Sequence, residues 1–199
     1  MPDDKGLEAI RNSLSEGRGV LERFSTDEMN LAAIGEMARL VASAFRSGNK
    51  VLACGNGGSA CDAIHFAEEF TGRYRKDRKA LPAIALVDSA HLTCVGNDYG
   101  FDEVFARGVS AYGQPGDVLL AISTSGNSRN VIRAVEEAKK QGMSVLLFLG
   151  REGGALRGRG DAEIVVTGIN SDRIQEIHMI VLHIVIECVE RDMFPENYQ

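Results

Sequence analysis

The chain is poor in cysteine. Its four (Cys54, Cys61, Cys94, Cys188) form no CxxC pair and no His/Cys finger spacing. That removes a disulfide framework and a zinc finger, and leaves reduced, mostly buried thiols suited to a cytoplasm. Positive charge is also scarce. A net charge of −6 excludes non-specific nucleic-acid binding, which needs a basic footprint. An anionic small molecule stays open, because Arg73, Arg75, Arg107 and Arg129 can line a local pocket against the global sign. No apolar run approaches the roughly 18 residues of a membrane span. The acidic N-terminus lacks an apolar h-region, so no secretory signal is expected. No G-x-x-x-x-G-K-[ST] motif and no low-complexity segment occur.

What is present is ordinary for a globular protein with one core: 44% hydrophobic and 25% charged residues over 199 positions. Residues 5–47 read as two amphipathic helices. Leu7, Ile10, Leu14, Val20, Leu21 and Phe24 mark the first; Met29, Leu31, Ile34, Met37, Leu40, Val41 and Phe45 mark the second. Ser25–Asp27 is the N-cap region of the second, and Gly48 lies near its end. From Lys50 onward apolar strands alternate with helices: strands at 51–54, 83–87, 118–122, 144–149 and 162–166. Helices are expected at 59–72, 89–97, 101–112, 128–141 and 171–193, with a brief one near 155–157. Strands that are apolar on both faces belong to a buried, mostly parallel sheet. The expected fold is therefore an α/β, three-layer, doubly wound parallel five-stranded sheet. Residues 1–47 form its helical, oligomer-forming segment and residues 48–199 the ligand-binding part.

Two strands run into loops suited to an anion. Val51–Cys54 leads to Gly55-Asn56-Gly57-Gly58-Ser59, and Val118–Ile122 leads to Ser123-Thr124-Ser125-Gly126-Asn127-Ser128. Such loops offer backbone N–H groups and hydroxyls at a positively polarised helix end. The first fits the dinucleotide pattern G-x-G-x-x-A, but that reading wants an acid about 20 residues on, and Asp88 lies 33 residues after Gly55. The second offers four hydroxyls in six positions, more than an N-cap and turn require. It points to a phosphate.

Five motifs now stand in order: CGNGGS at 54–59, HFAEEFTGRY at 65–74, VGND at 95–98, ISTSGNS at 122–128 and RIQEIH at 173–178. Together they resemble the sugar-isomerase (SIS) domain family and, within it, the phosphoheptose isomerases, over almost the whole chain. Spacing alone places His65 and Glu69 on one face of a helix. Gln175 and His183 share roughly one face of the last helix, whose apolar surroundings read as buried. From spacing, a hydrogen-bonded core His183 and a solvated Glu69 are equally open. The resemblance implies a zinc site of His65, Glu69, Gln175 and His183. It implies Glu69 and His183 as catalytic acid/base groups, and a homotetramer with sites at subunit interfaces. It further implies a substrate pocket of Asn56, Gly57, Gly58, Ser59, Glu69, Asn97, Asp98, Ser123, Thr124, Ser125, Ser128 and Gln175. Glu68, about 100° round an ideal helix from Glu69, reads as solvated; His91 and His178 read as structural.

The implied activity is isomerisation of sedoheptulose 7-phosphate to D-glycero-D-manno-heptose 7-phosphate through an enediol. Two alternatives are weighed. A non-catalytic relative in the same family binds a replication-initiator protein, but it lacks the acid at 69, the histidine at 183 and the second serine of the STS run. An isomerase for another phosphosugar differs only in substrate. A phosphosugar-sensing regulator would add a DNA-binding module, and nothing here has that length or charge.

Overall fold

The computed structural model describes residues 3–199; Met1 and Pro2 of the expected N-terminal segment lie outside them. Five strands form one parallel sheet: β1 (Val51–Gly55), β2 (Ala83–Ala85), β3 (Val118–Ser123), β4 (Ser144–Gly150) and β5 (Ala162–Val166). Their spatial order is β2-β1-β3-β4-β5. The doubly wound expectation holds. β1, β3 and β4 are buried almost throughout, as both-face burial of their apolar runs requires.

Seven α-helices surround the sheet: α1 (Asp4–Ser25), α2 (Glu28–Arg46), α3 (Gly58–Thr71), α4 (Ser89–Asp98), α5 (Val104–Tyr112), α6 (Arg129–Lys140) and α7 (Ser171–Met193). Each sheet face has its own apolar cluster. On one, α2, α3 and α7 contribute Met37, Val41, Phe66, Phe70, Val181 and Val185 against Val51, Leu120 and Phe148. On the other, Phe105, Val109, Val131 and Val135 of α5 and α6 cover Leu52, Leu119 and Leu147. Val20 and Phe24 join α1 to the first cluster. Along the flank of that face α1 exposes Leu7, Ile10, Leu14 and Leu21.

Several expectations need correction. β2 stops at Ala85 rather than Val87, because it is an edge strand that pairs over three residues only. The 101–112 segment divides into a 3₁₀ turn at Phe101–Glu103 followed by α5. An unforeseen 3₁₀ turn spans Pro195–Tyr198. The thiols are not mostly buried: Cys54 is, but Cys61 and Cys94 are exposed and Cys188 is intermediate. α7 is not buried all round either, since Ile180 and Ile184 are exposed. Asp88, the candidate ribose acid, caps α4 by accepting from the His91 N–H at 2.8 Å.

The winding direction reverses between β1 and β3, which are neighbours in register from Val51↔Val118 to Gly55↔Ile122. In open α/β sheets the ligand crevice lies at the carboxyl ends of the strands at such a switch point. The two Gly/Ser loops are the ones that leave it.

Candidate active site

The two loops are tied together across the switch point. The side-chain amides of Asn56 and Asn130 exchange hydrogen bonds at 2.9 and 2.8 Å, so Asn56 spends its side chain on the neighbouring loop. In the Ser/Thr loop, the Gly126 N–H donates to Ser123 Oγ at 3.1 Å and Ser123 Oγ donates to Ser128 Oγ at 3.3 Å. Gly126 has φ +63° and sits against the Gly153 carbonyl with no room for a Cβ. α1, α2 and α4 are capped by the aspartates Asp3, Asp27 and Asp88. α3 and α6, which start at these loops, have no side-chain cap. In α3 the Ser59 and Ala60 N–H groups donate to the Asn56 and Gly57 carbonyls, and in α6 the Val131 N–H donates to Asn130 Oδ1.

The histidines and the carboxylate converge farther along the helices. His65 and Glu69 on α3 meet His183 on α7: Nε2 of His65 is 2.9 Å from Nε2 of His183 and 3.5 Å from Glu69 Oε1. All three ligand atoms lie within 4.8 Å of one another. Tetrahedral zinc with bonds of about 2.0–2.1 Å holds its ligand atoms about 3.3 Å apart, so the observed spacings fit one ion. On the far side of the ring, His65 Nδ1 lies 3.2 Å from Glu68 Oε1. Glu68 is exposed, as expected, and touches the ring from the solvent side. A carboxylate on Nδ1 orients the ring and leaves Nε2 to the site. Burial first, and then the neighbouring Glu68, raise the Glu69 carboxyl above its ordinary range, against the pull of His65 and His183.

Gln175 is placed differently. Its amide packs over Gly58, where an added Cβ would come within 2.6 Å, between the loops and the cluster. Thr124 Oγ1 lies 3.4 Å from Ser171 Oγ at the start of α7. Ser59 is buried in the first turn of α3, and Ser125 Oγ accepts from the Asn127 N–H. Asn97 and Asp98 sit at the exposed end of α4, hydrogen-bonded to each other at 2.7 Å. Among the described residues they make no hydrogen bond to the cluster. Two of the arginines expected to favour an anion are occupied: Arg75 pairs with Glu187 and Arg129 with Asp102.

Some residues went unforeseen. Tyr74 stacks on His183 with ring centroids 6.0 Å apart. Asp62, one turn before His65, is buried with Oδ2 unpartnered; burial pushes its carboxyl up to about 6, against the pull of His65. An acid at an otherwise apolar helix position was the available signal. His178 is structural as expected, its Nε2 3.0 Å from the Leu149 carbonyl. A cavity of about 840 Å³ contains none of the cluster. It lies between α1 and the loops after β3, β4 and β5, lined by Arg23, Ser125, Arg151 and Arg173 among others. The His65, Glu69 and His183 group lies instead where α3 packs against α7, its three side chains partly exposed.

Fold and site define a doubly wound α/β domain with a Ser/Thr-rich loop at its switch point and a His–Glu–His group two turns along α3. The SIS domain family matches residues 14–150. A curated phosphoheptose isomerase of Fusobacterium nucleatum is 57% identical over 179 residues, 90% of this chain and 92% of that protein. Solved phosphoheptose isomerases from Neisseria gonorrhoeae and Francisella tularensis superpose with TM-scores of 0.85 and 0.88 at 39% and 36% identity. They align with 92% and 93% of this chain and 98% of each of theirs. The chain belongs to the SIS-domain family, among its phosphoheptose isomerases.

Proposed function

We propose that this protein isomerises sedoheptulose 7-phosphate to D-glycero-D-manno-heptose 7-phosphate, the first step of nucleotide-activated heptose synthesis. The observation that carries this reading is a distance. Seven residues of helix separate Gly58 from His65, a rise of about 10 Å at 1.5 Å per residue. An extended seven-carbon sugar phosphate spans roughly 10 Å from phosphorus to C1, taking about 1.2 Å per bond. That rise matches one sugar length along α3; the phosphate is assigned to the neighbouring Ser123–Ser128 loop and C1 and C2 to Glu69 and His183, with Gln175, whose amide packs over Gly58, between them.

Glu69 is the base that takes the C1 proton, and its raised proton affinity suits that task. His183 moves the proton between the C2 carbonyl and C1 hydroxyl oxygens, and the enediol is reprotonated at C2. His65, oriented by Glu68, helps to hold the reacting end. His65, Glu69 and His183, with Gln175, would hold zinc, which when bound supplies a positive charge for the enediolate. Asn56, Gly57, Gly58, Ser59, Asn97 and Asp98 are assigned to the sugar, and Ser123, Thr124, Ser125 and Ser128 to its phosphate.

The working form is proposed as a homotetramer. Ile64, Ile180 and Ile184 are exposed beside His65 and His183, an apolar rim that a second copy would cover and that would close the cluster to water. Residues 1–47, with their exposed α1 stripe, are proposed as the oligomer-forming segment of the same domain, and 48–199 as the phosphosugar-binding part. Among the described residues no helix is long and apolar enough to cross a membrane; a cytoplasmic location is part of the proposal.

Purified protein is offered sedoheptulose 7-phosphate and, separately, fructose 6-phosphate, with and without chelator. The reading predicts aldose from the heptulose and loss of turnover on chelation. Product from the hexose phosphate alone would overturn the substrate.

A further inference from the structure

The cluster needs its two helices at a fixed spacing, and one buried network spans them. Arg78, in the segment between α3 and β2, and Glu190 on α7 are an ion pair with side chains 1% and 0% exposed. Arg78 Nε donates to Glu190 Oε1 at 2.6 Å. The rest of the guanidinium is spent on the end of α3: Nη2 donates to the carbonyl of Glu69 itself at 2.5 Å, and Nη1 to that of Phe70 at 2.7 Å and of Gly72 at 3.1 Å. The last turn of α3 has no basic residue of its own, so Arg78 supplies both the missing donors and the charge its carbonyl end favours.

Glu190 stands seven residues after His183 on α7, two turns on and on nearly the same face. Its second oxygen accepts from the Tyr198 hydroxyl at 2.9 Å. The turn carrying Tyr198 is held in place by Arg191 stacked over its ring and by Asn197, which donates to the Asp77 carbonyl. One guanidinium thus grips the backbone of the base on one helix and a carboxylate on the helix that carries the other catalytic group.

We propose that Arg78 and Glu190, closed by Tyr198, are positioning residues that set the distance between α3 and α7 and hence that of His65 and Glu69 from His183. A buried ion pair is by itself weak support for fold stability, because desolvation offsets its attraction. Its placement on the Glu69 carbonyl gives it a task beyond stability. The inference rests on the proposed reading of the cluster as a metal-holding acid/base site.

Glu190→Gln keeps the shape and weakens the brace. Zinc affinity of the metal-stripped protein is measured by titration, alongside kcat and KM for sedoheptulose 7-phosphate and the Kd of inorganic phosphate. Changes to groups that orient metal ligands cost on the order of tenfold in metal affinity or activity. About that loss is expected in both zinc affinity and kcat, with KM and phosphate Kd within about twofold. Folded Glu190→Gln with wild-type zinc affinity and kcat would overturn the proposal, as would parallel loss of phosphate binding, which marks a general structural effect. If Glu190→Gln does not fold, Tyr198→Phe decides: it leaves the ion pair and removes one hydrogen bond. About threefold weaker zinc binding supports the brace, and unchanged binding overturns it. A wild-type chain that binds zinc but does not turn over heptulose phosphate would sink the isomerase reading and leave the titration to judge the brace.

Discussion

Replacing Glu69 with glutamine removes the one carboxylate placed to take the C1 proton while keeping the side chain's size. Glu68 cannot take over, because its oxygen sits on Nδ1 of His65, on the other side of the imidazole from His183. A positioned base contributes about 10²–10⁴-fold, equivalent to roughly 3–5 kcal/mol of barrier at 1.36 kcal/mol per factor of ten. Without a substitute, the loss in kcat belongs at the upper end. Inorganic phosphate should bind as before, since its loop lies on β3 and α6. Folding should not suffer: the Glu69 carboxyl is raised by burial and by Glu68, so ionised Glu69 is disfavoured by the fold at neutral pH and a neutral amide relieves that. Steady-state kinetics, phosphate titration and a thermal melt measure all of this. Wild-type kcat in Glu69→Gln, or a kcat loss matched by unfolding, would refute the assignment.

Gly126→Ala tests the anion loop. A Cβ there would overlap the Gly153 carbonyl, and φ is +63°, a region that costs a non-glycine residue about 1 kcal/mol before any clash. Phosphate Kd should rise at least about tenfold as the loops are pushed apart, while the thermal melt shows a folded protein; unchanged Kd would contradict the loop's role. His178 gives a pH dependence. Burial pushes its imidazole down to about 4, against the Leu149 hydrogen bond, from an unfolded value near 6.5. Its contribution is complete above about pH 6.5 and is lost as pH falls toward 4, a change of about 3 kcal/mol. Urea unfolding at pH 7 and pH 4 should show a smaller difference in His178→Gln than in the wild type. Equal differences would contradict a buried neutral ring.

Much of this molecule can be read along the chain, for definite physical reasons. Val118–Ile122 and Ser144–Leu149 are strands because uninterrupted β-branched and aliphatic runs suit a sheet buried on both faces. The edge strand β2 ends short of Leu86 and Val87 although both are apolar, since apolarity alone does not show where a pairing partner ends. His65 and Glu69 announce themselves by four-residue spacing. His183 does not, because its partner His65 is 118 residues away, and only the resemblance points to it. Reading Glu68 from its angle to Glu69 overlooked that a flexible side chain three residues from His65 can reach the ring's other nitrogen. Arg78 and Glu190, 112 residues apart, leave no periodic trace at all.

The most direct test follows the proton itself. The protein converts sedoheptulose 7-phosphate in deuterated water while NMR follows the sugar. Removal at C1 by Glu69 and return at C2 predict an aldose 7-phosphate carrying solvent deuterium at C2 in at least part of the product, and formation slowed by up to about 10⁴-fold in Glu69→Gln. Aldose and recovered heptulose that both stay free of solvent deuterium through extended turnover would contradict an exchangeable proton on Glu69, and no aldose would mean a different substrate; either result contradicts the account.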